Sequence, residues 1–163
     1  MPAFSEVVVD AADDAFTIRL AATCSNDVAG FAWTGTIAGT TDGRITFEVN
    51  GQAERDFKSP RVGLNVLYGA GSLAGQAYEL IDKSGAVTPG EFPLLVAAKL
   101  LSQSFRTLRY TAADGMQVSV GLAAGTFGME DQRNFGDSSY KAFSGMSHKR
   151  LRNFRKRVSI DVI

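Results

Sequence analysis

Hydrophobic and polar residues alternate along most of this chain, in short runs separated by polar or glycine-containing connections. Phe16, Ile18 and Leu20, for example, are interleaved with Thr17 and Arg19. Because successive side chains of a β-strand point to opposite faces, this alternation predicts strands that are covered on one side.

Further runs rich in β-branched and aromatic residues predict about ten strands in total. The predicted strands cover residues 6–9, 16–23, 31–39, 44–49, 62–68, 76–81, 105–111, 116–122, 126–129, 140–143 and 158–163. So many short strands fit two packed sheets better than one open sheet with long exposed edges. We therefore predict an all-β fold, an antiparallel β-sandwich with at most one short helix, as a single domain over residues 1–163.

Two local signals bear on the connections. Asp42-Gly43 and Asp114-Gly115 each lie between two predicted strands, and such pairs favour tight hairpins because glycine tolerates a positive φ. Residues 92–103 contain good helix formers after Pro93, so this segment is predicted to form the short helix, covering a sheet edge.

The polar stretch 129–143 reads MEDQRNFGDSSYKAF and lies among apolar, strand-like residues. Charged side chains are rarely buried without partners, so this mixture predicts either an internally paired network or the lining of a polar pocket. In an extended chain Glu130 and Asp131 point to opposite faces. Asp131 then shares a face with Arg133, and the two could form an ion pair with each other or with Lys141.

Two hypotheses for these carboxylates stay open. Glu130 or Asp131 could act as a general base in hydrolysis, and only one of them could line a given pocket. Alternatively, both could belong to a salt-bridged network that anchors an irregular crossover, since such networks imitate active sites in sequence.

The stretch 129–143 closely resembles a signature of the D-apionate lactonase family, and segments 30–37, 42–47 and 61–67 resemble further motifs of that family in the same order. The resemblance covers roughly residues 14–163 of this chain, and the part of the family that it matches is the N-terminal β-rich domain. In that family this domain precedes a TIM barrel and a further domain. The resemblance therefore implies a natural minimal relative, a truncated gene or an excerpt of a longer protein.

A sugar acid, the substrate class that the resemblance implies, carries a carboxylate that arginine can bind through two parallel hydrogen bonds. The candidate substrate-binding residues are Arg61, Arg133, Asn134, Asp137 and Lys141. Arg61 could instead pair with Glu130 or Asp131.

Two classes of function follow. The first is a noncatalytic module that binds carbohydrate or packs against a barrel domain. The second is a stand-alone hydrolase of sugar lactones in which Glu130 or Asp131 activates water. A sandwich without its partner would expose apolar surface, so the partners expected are a barrel domain or a second copy of the chain, with a sugar acid or lactone as the small molecule.

Composition bears on whether the protein binds nucleic acid or an anionic membrane. Basic and acidic residues number 17 each, so no overall field attracts nucleic acid or an anionic membrane. The basic segment 148–157 could contact phosphates, with Phe154 stacking on a base, but the neutral total favours cations that balance the acidic N-terminal region. No nucleic-acid partner is expected.

Single residues complete the picture. His148 is the sole histidine, which excludes a multi-histidine metal centre, and no metal or other cofactor is expected. Cys24 is the sole cysteine and is expected to pack rather than react. Trp33 could support a sugar ring, but its alternation with Phe31 favours the core. No leader-like or membrane-length apolar run is visible, so a cytoplasmic location is expected.

Overall fold

The computed structural model describes residues 2–55, 57, 63–144 and 153–162, with only the backbone described at 153 and 154. It confirms the predicted antiparallel β fold, with one sheet of nine strands and one of four. The strands are β1 (Ala3–Ala11), β2 (Ala15–Ser25), β3 (Gly30–Thr40), β4 (Arg44–Ala53), β5 (Asn65–Gly69), β6 (Ala77–Ile81), β7 (Val87–Glu91), β8 (Ser102–Phe105), β9 (Thr107–Thr111), β10 (Gln117–Leu122), β11 (Phe127–Asp131), β12 (Ser139–Ser144) and β13 (Asn153–Val162).

The large sheet has the order β1-β2-β3-β4-β13-β10-β9-β6-β7, and the small sheet has the order β5-β12-β11-β8. A one-turn helix, α1 (Ala70–Leu73), follows β5, and a 3-10 turn at Gln132–Phe135 joins β11 to β12. Two of the strands, β7 and β8, were not predicted from the sequence.

Both predicted Asp-Gly hairpins are confirmed. Asp42 accepts a hydrogen bond from the Arg44 amide at 3.1 Å, and Gly43 has a φ of +82°. Gly115 has a φ of +88° in the turn between β9 and β10. An L side chain rarely adopts this conformation, so the glycines set the place of each turn.

The core lies between the small sheet and one half of the large sheet, the half formed by β13, β10, β9 and β6. Phe92, Leu108, Met129 and Tyr140 are completely buried there. The other half of the large sheet, β1 to β4, contributes no residue to this core cluster among the residues described. The small sheet therefore covers only half of its larger partner.

The prediction of a helix at 92–103 is wrong. Residues 92–101 are irregular and lead into β8. The backbone groups that a helix would use are bonded elsewhere: the Pro93 carbonyl accepts from Arg133 and Tyr140, and the Ala97 amide donates to Asp131. Because these partners lie far away in sequence, tertiary contacts override the local helix propensity.

Candidate functional site

The charged signature forms the turn between β11 and β12 in the small sheet. The two strands pair antiparallel, with Glu130 opposite Lys141 and Asp131 opposite Tyr140. The Asp131 carboxylate accepts from the Arg133 amide at the start of the 3-10 turn, and Gly136 ends that turn with a φ of +81°. Asp131 thus caps the start of the 3-10 turn and Gly136 ends it in the left-handed conformation, and the two together set where the chain turns.

The predicted opposite orientation of the two acids is confirmed. Asp131 is 1% exposed and points into the protein, whereas Glu130 is on the other side of the strand and only half-buried. The two carboxylates therefore lie in different environments and cannot serve one pocket together.

Asp131 accepts hydrogen bonds at both of its carboxylate oxygens. The Arg133 side chain donates to Oδ1 at 2.9 Å and to Oδ2 at 2.7 Å, and the Ala97 amide donates to Oδ2 at 2.9 Å. The hydrogen bonds from Arg133 are the main reason that the pKa of Asp131 lies below its ordinary value. The ion pair predicted between these two residues is confirmed, and it keeps Asp131 ionised.

Arg133 extends this network to the irregular segment. Its guanidinium donates to the carbonyl oxygens of Pro93 at 2.6 Å, Leu94 at 3.1 Å and Leu95 at 3.2 Å. It also lies 4.8 Å from the centre of the Tyr140 ring. We call Asp131, Arg133 and Tyr140 the loop clamp, because together they hold the backbone of residues 93–97 against the small sheet.

The other side of the hairpin carries a second pair. Lys141 Nζ lies 2.6 Å from Glu130 Oε1 and donates to Gln132 Oε1 at 3.1 Å. Asn134 and Asp137 are exposed on the turn. Arg61 lies outside the described residues.

The signature is therefore an internally bonded network, one of the two arrangements expected from the sequence. A general base must be able to accept a proton, but both carboxylate oxygens of Asp131 already accept hydrogen bonds and its pKa is lowered, which makes it a weak base. The catalytic role of Glu130 and Asp131, and the substrate-binding role of Arg133, Asn134, Asp137 and Lys141, stay predictions.

A second feature is the half of the large sheet that, among the described residues, no second layer covers. The sequence did not reveal this half as a surface. Strand register places the apolar side chains of β1 to β4 on the same side as the core. The members of this uncovered apolar face are Phe4, Val7, Val9, Phe16, Ile18, Leu20, Phe31, Trp33, Ile37, Ile45 and Phe47.

Glycines make this face flat. The space where Gly39 would carry a Cβ is filled by the Phe16 ring, and the Phe31 ring covers Gly51 in the same way. Trp33 packs edge-on against Phe4, with ring centroids 6.0 Å apart. Trp33 thus points in the predicted direction, but it is half-buried on the uncovered face rather than enclosed in the core.

The opposite face of the large sheet is polar, with ion pairs across neighbouring strands. Glu48 on β4 lies between two arginines of β13: its Oε1 is 2.8 Å from Arg155 Nη2, and its Oε2 is 2.5 Å from Arg157 Nη2. These bonds, first of all the one from Arg157, lower the pKa of Glu48. Arg44–Asp161 and Arg109–Glu79 are further pairs on this face.

The described part of the chain contains neither a metal site nor a membrane-spanning helix. There, no group of three or more histidine, cysteine, aspartate or glutamate residues could hold a metal ion. Within the same residues, no helix has the length and apolar character needed to cross a bilayer. His148 lies outside the described residues, and so does most of the predicted basic segment.

Solved structures described as aldose epimerases or their homologues have a similar fold. A putative aldose 1-epimerase from Escherichia coli K12 superposes with a TM-score of 0.57 and 13% identity, over 98% of this chain and 69% of that protein. The GalM/aldose epimerase homologue from C. elegans gives 0.60 and 10%, over 97% and 68% of the two chains. At such low identity the likeness shows the fold alone.

The sequence itself defines the family. Residues 1–150 match the family described as D-apionate lactonase, N-terminal domain, and the chain belongs to it. The D-apionate lactonase of Brucella anthropi is 24% identical over 143 residues, which are 87% of this chain. The chain spans only 24% of that relative's length.

Proposed function

We propose that this chain is a noncatalytic packing module of a lactonase-like protein, and that it docks through the uncovered apolar face. The observation that carries the proposal is the mismatch between the two sheets. One half of the large sheet is covered by the small sheet, while the apolar face of β1 to β4 continues beyond it.

Exposure along the edge strand supports this role. Phe4, Val7 and Val9 of β1 are 55%, 59% and 61% exposed, although each points to the apolar side. Contiguous apolar patches of this kind mark interaction surfaces, since isolated soluble domains rarely leave them open.

The size of the face also fits a specific contact. Four strands about 4.8 Å apart and roughly 30 Å long give a face of about 600 Å², from standard sheet spacings. Two such faces in contact bury about 1,200 Å², at the lower end of stable interfaces. Where such a domain is joined to a barrel domain, the proposed occupant is that barrel, and in the isolated chain it is a second copy.

The signature peptide fits the same role. The loop clamp uses the charges of Asp131 and Arg133 to hold residues 93–97, which is a structural role that needs no substrate. Hydrolysis of aldonolactones by the isolated chain, reduced by Glu130→Gln, would instead favour the stand-alone hydrolase.

Val7→Glu is expected to prevent self-association of the isolated chain. The substitution places a carboxylate within an apolar contact, where an unpaired charge is strongly unfavourable. Sedimentation equilibrium should show a concentration-dependent dimer for the unmodified chain and a dimer at least about tenfold weaker for the variant, a change of about 1.4 kcal/mol.

Val8→Glu is the matched control, because Val8 lies on the same strand but on the polar face, opposite Arg19. It should leave the dimer unchanged. A clean monomer at high concentration for the unmodified chain, or equal effects of the two variants, would contradict docking through this face.

A further inference from the structure

The outer edge of β1 is the longest open sheet edge in the described part of the chain. β1 is the first strand of the large sheet, and its one partner there is β2. It has nine residues, whereas the other edge strands, β7, β5 and β8, have five, five and four. β7 also contains Pro89, which lacks a backbone donor. Short strands and proline protect sheet edges against further pairing, and β1 has neither protection.

Residues 6–11 form the regular part of this edge. They pair one by one with residues 16–21 of β2, and a register shift between Phe4 and Glu6 interrupts the pairing beyond them. Alternate residues of a strand direct both their N–H and C=O groups to the same edge, so half of these residues bond to β2 and half face outward. The outer edge therefore offers about six backbone groups over roughly 20 Å.

The side chains beside this edge alternate in character. Val7 and Val9 are largely exposed and point to the apolar side of the sheet. Glu6 and Asp10 are the charged residues of β1, and both point to the polar side. Asp10 pairs with Arg19 of β2, whereas no cation among the described residues pairs with Glu6. One negative charge beside the edge is therefore uncompensated.

We propose that β1 accepts an added strand from a partner protein, a strand in which apolar residues alternate with lysine or arginine. The backbone of the added strand bonds to the outer edge of β1, which is a common mode of peptide recognition. Residues that lie opposite each other in paired strands share a face. The apolar side chains of the added strand therefore lie beside Val7 and Val9, and its cations lie beside Glu6 and Asp10.

A second copy of the chain fits this edge poorly. Two β1 strands that pair antiparallel about Val8 place Glu6 of each copy opposite Asp10 of the other. Like charges that lie directly opposite each other destabilise a strand pair, and β1 contains no lysine or arginine to compensate. The edge of β1 and its apolar face are different surfaces, so this pairing does not rest on the packing role.

The test is an NMR titration of the ¹⁵N-labelled chain with the peptide Thr-Val-Lys-Val-Thr-Val-Lys-Val-Thr. Its two lysines are four positions apart, as Glu6 and Asp10 are. The peptide should bind saturably. At saturation, the outward-facing amides among residues 6–11 should exchange their hydrogens with solvent at least about tenfold more slowly, because new hydrogen bonds protect them. The same peptide with glutamate in place of lysine should bind at least about tenfold more weakly.

Glu6→Lys tests the choice of partner. The variant should bind the lysine peptide at least about threefold more weakly than the unmodified chain, and the glutamate peptide at least about threefold more tightly, because one cross-strand charge pair is reversed. Glu91→Lys is the matched control, since Glu91 is an exposed glutamate of β7, the other edge strand of the large sheet. It should bind both peptides as the unmodified chain does.

Three results would overturn the proposal: no saturable binding of the lysine peptide, saturation without slower exchange in residues 6–11, or equal affinities for the two peptides. Exchange at these amides that slows as the concentration of the chain alone rises would assign the edge to a second copy, and it would overturn the proposal as well.

Discussion

Arg133→Met is expected to lower the free energy of unfolding by about 3–5 kcal/mol, the cost of leaving a buried charge without its partner. Asp131 is 1% exposed, and the substitution removes both hydrogen bonds from the Arg133 side chain. The carbonyls of Leu94 and Leu95 lose their donor at the same time, and the carbonyl of Pro93 keeps only Tyr140. The loss of stability should therefore have two sources, the unpaired carboxylate of Asp131 and the weaker attachment of the segment 93–97.

Urea unfolding followed by far-UV circular dichroism measures this change. Arg109→Met is the control, because its pair with Glu79 is exposed and such pairs contribute only about 0–1 kcal/mol. Adding Asp131→Asn to Arg133→Met should recover part of the loss, since the neutral amide no longer leaves a buried charge. A loss below about 1 kcal/mol for Arg133→Met would mean that the clamp does not stabilise the fold.

Phe92→Ala is expected to cost about 3–5 kcal/mol, as is typical for truncating a fully buried aromatic side chain. Phe92 is 0% exposed and lies between the two sheets. Its ring is 4.9 Å from that of Tyr78 on the large sheet and 4.9 Å from that of Tyr140 on the small sheet. The truncation opens a cavity at the point where the sheets meet.

Phe135→Ala is the matched control, because it removes the same ring from a position that is 72% exposed. Its effect should stay within about 0.5 kcal/mol, as for other surface substitutions. Thermal unfolding should rank the three proteins with Phe92→Ala far below the other two. Similar stabilities for the two variants would show that Phe92 does not join the sheets.

Short-range patterns made much of the fold predictable. Alternation places Phe16, Ile18 and Leu20 on one face, and the Asp42-Gly43 turn fixes the register of β3 and β4. These signals act within a few residues, so a sequence contains them in full. The opposite orientation of Glu130 and Asp131 was predictable for the same reason.

The errors in the predicted secondary structure arise where contacts with residues far away in the sequence determine the local conformation. Residues 92–103 have helix-forming composition, but Arg133 and Tyr140 bind the Pro93 carbonyl from 40 and 47 positions further along the chain. Local propensity is a weak prior against such contacts. The strand β8 was missed because it has no partner next to it in the sequence. Its only described partner is β11, and β9 and β10 lie between the two along the chain.

The candidate site was predictable only in part. Asp131 and Arg133 are two residues apart, so their ion pair could be proposed from the sequence. Glu48 and Arg157 are 109 positions apart, and nothing local connects them. The uncovered apolar face was equally hidden, because alternation shows that a strand has an apolar side but not whether another sheet covers it.

The most direct test of docking through the apolar face uses the one cysteine. Cys24 of β2 lies opposite Phe31 of β3, on the proposed docking side. Its thiol is free and half-buried. The rate at which a thiol reagent modifies Cys24 should fall as the concentration of the isolated chain rises, because a second copy covers it. In Val7→Glu the rate should stay high at every concentration. A rate that is independent of concentration and equal in both proteins would contradict the packing role.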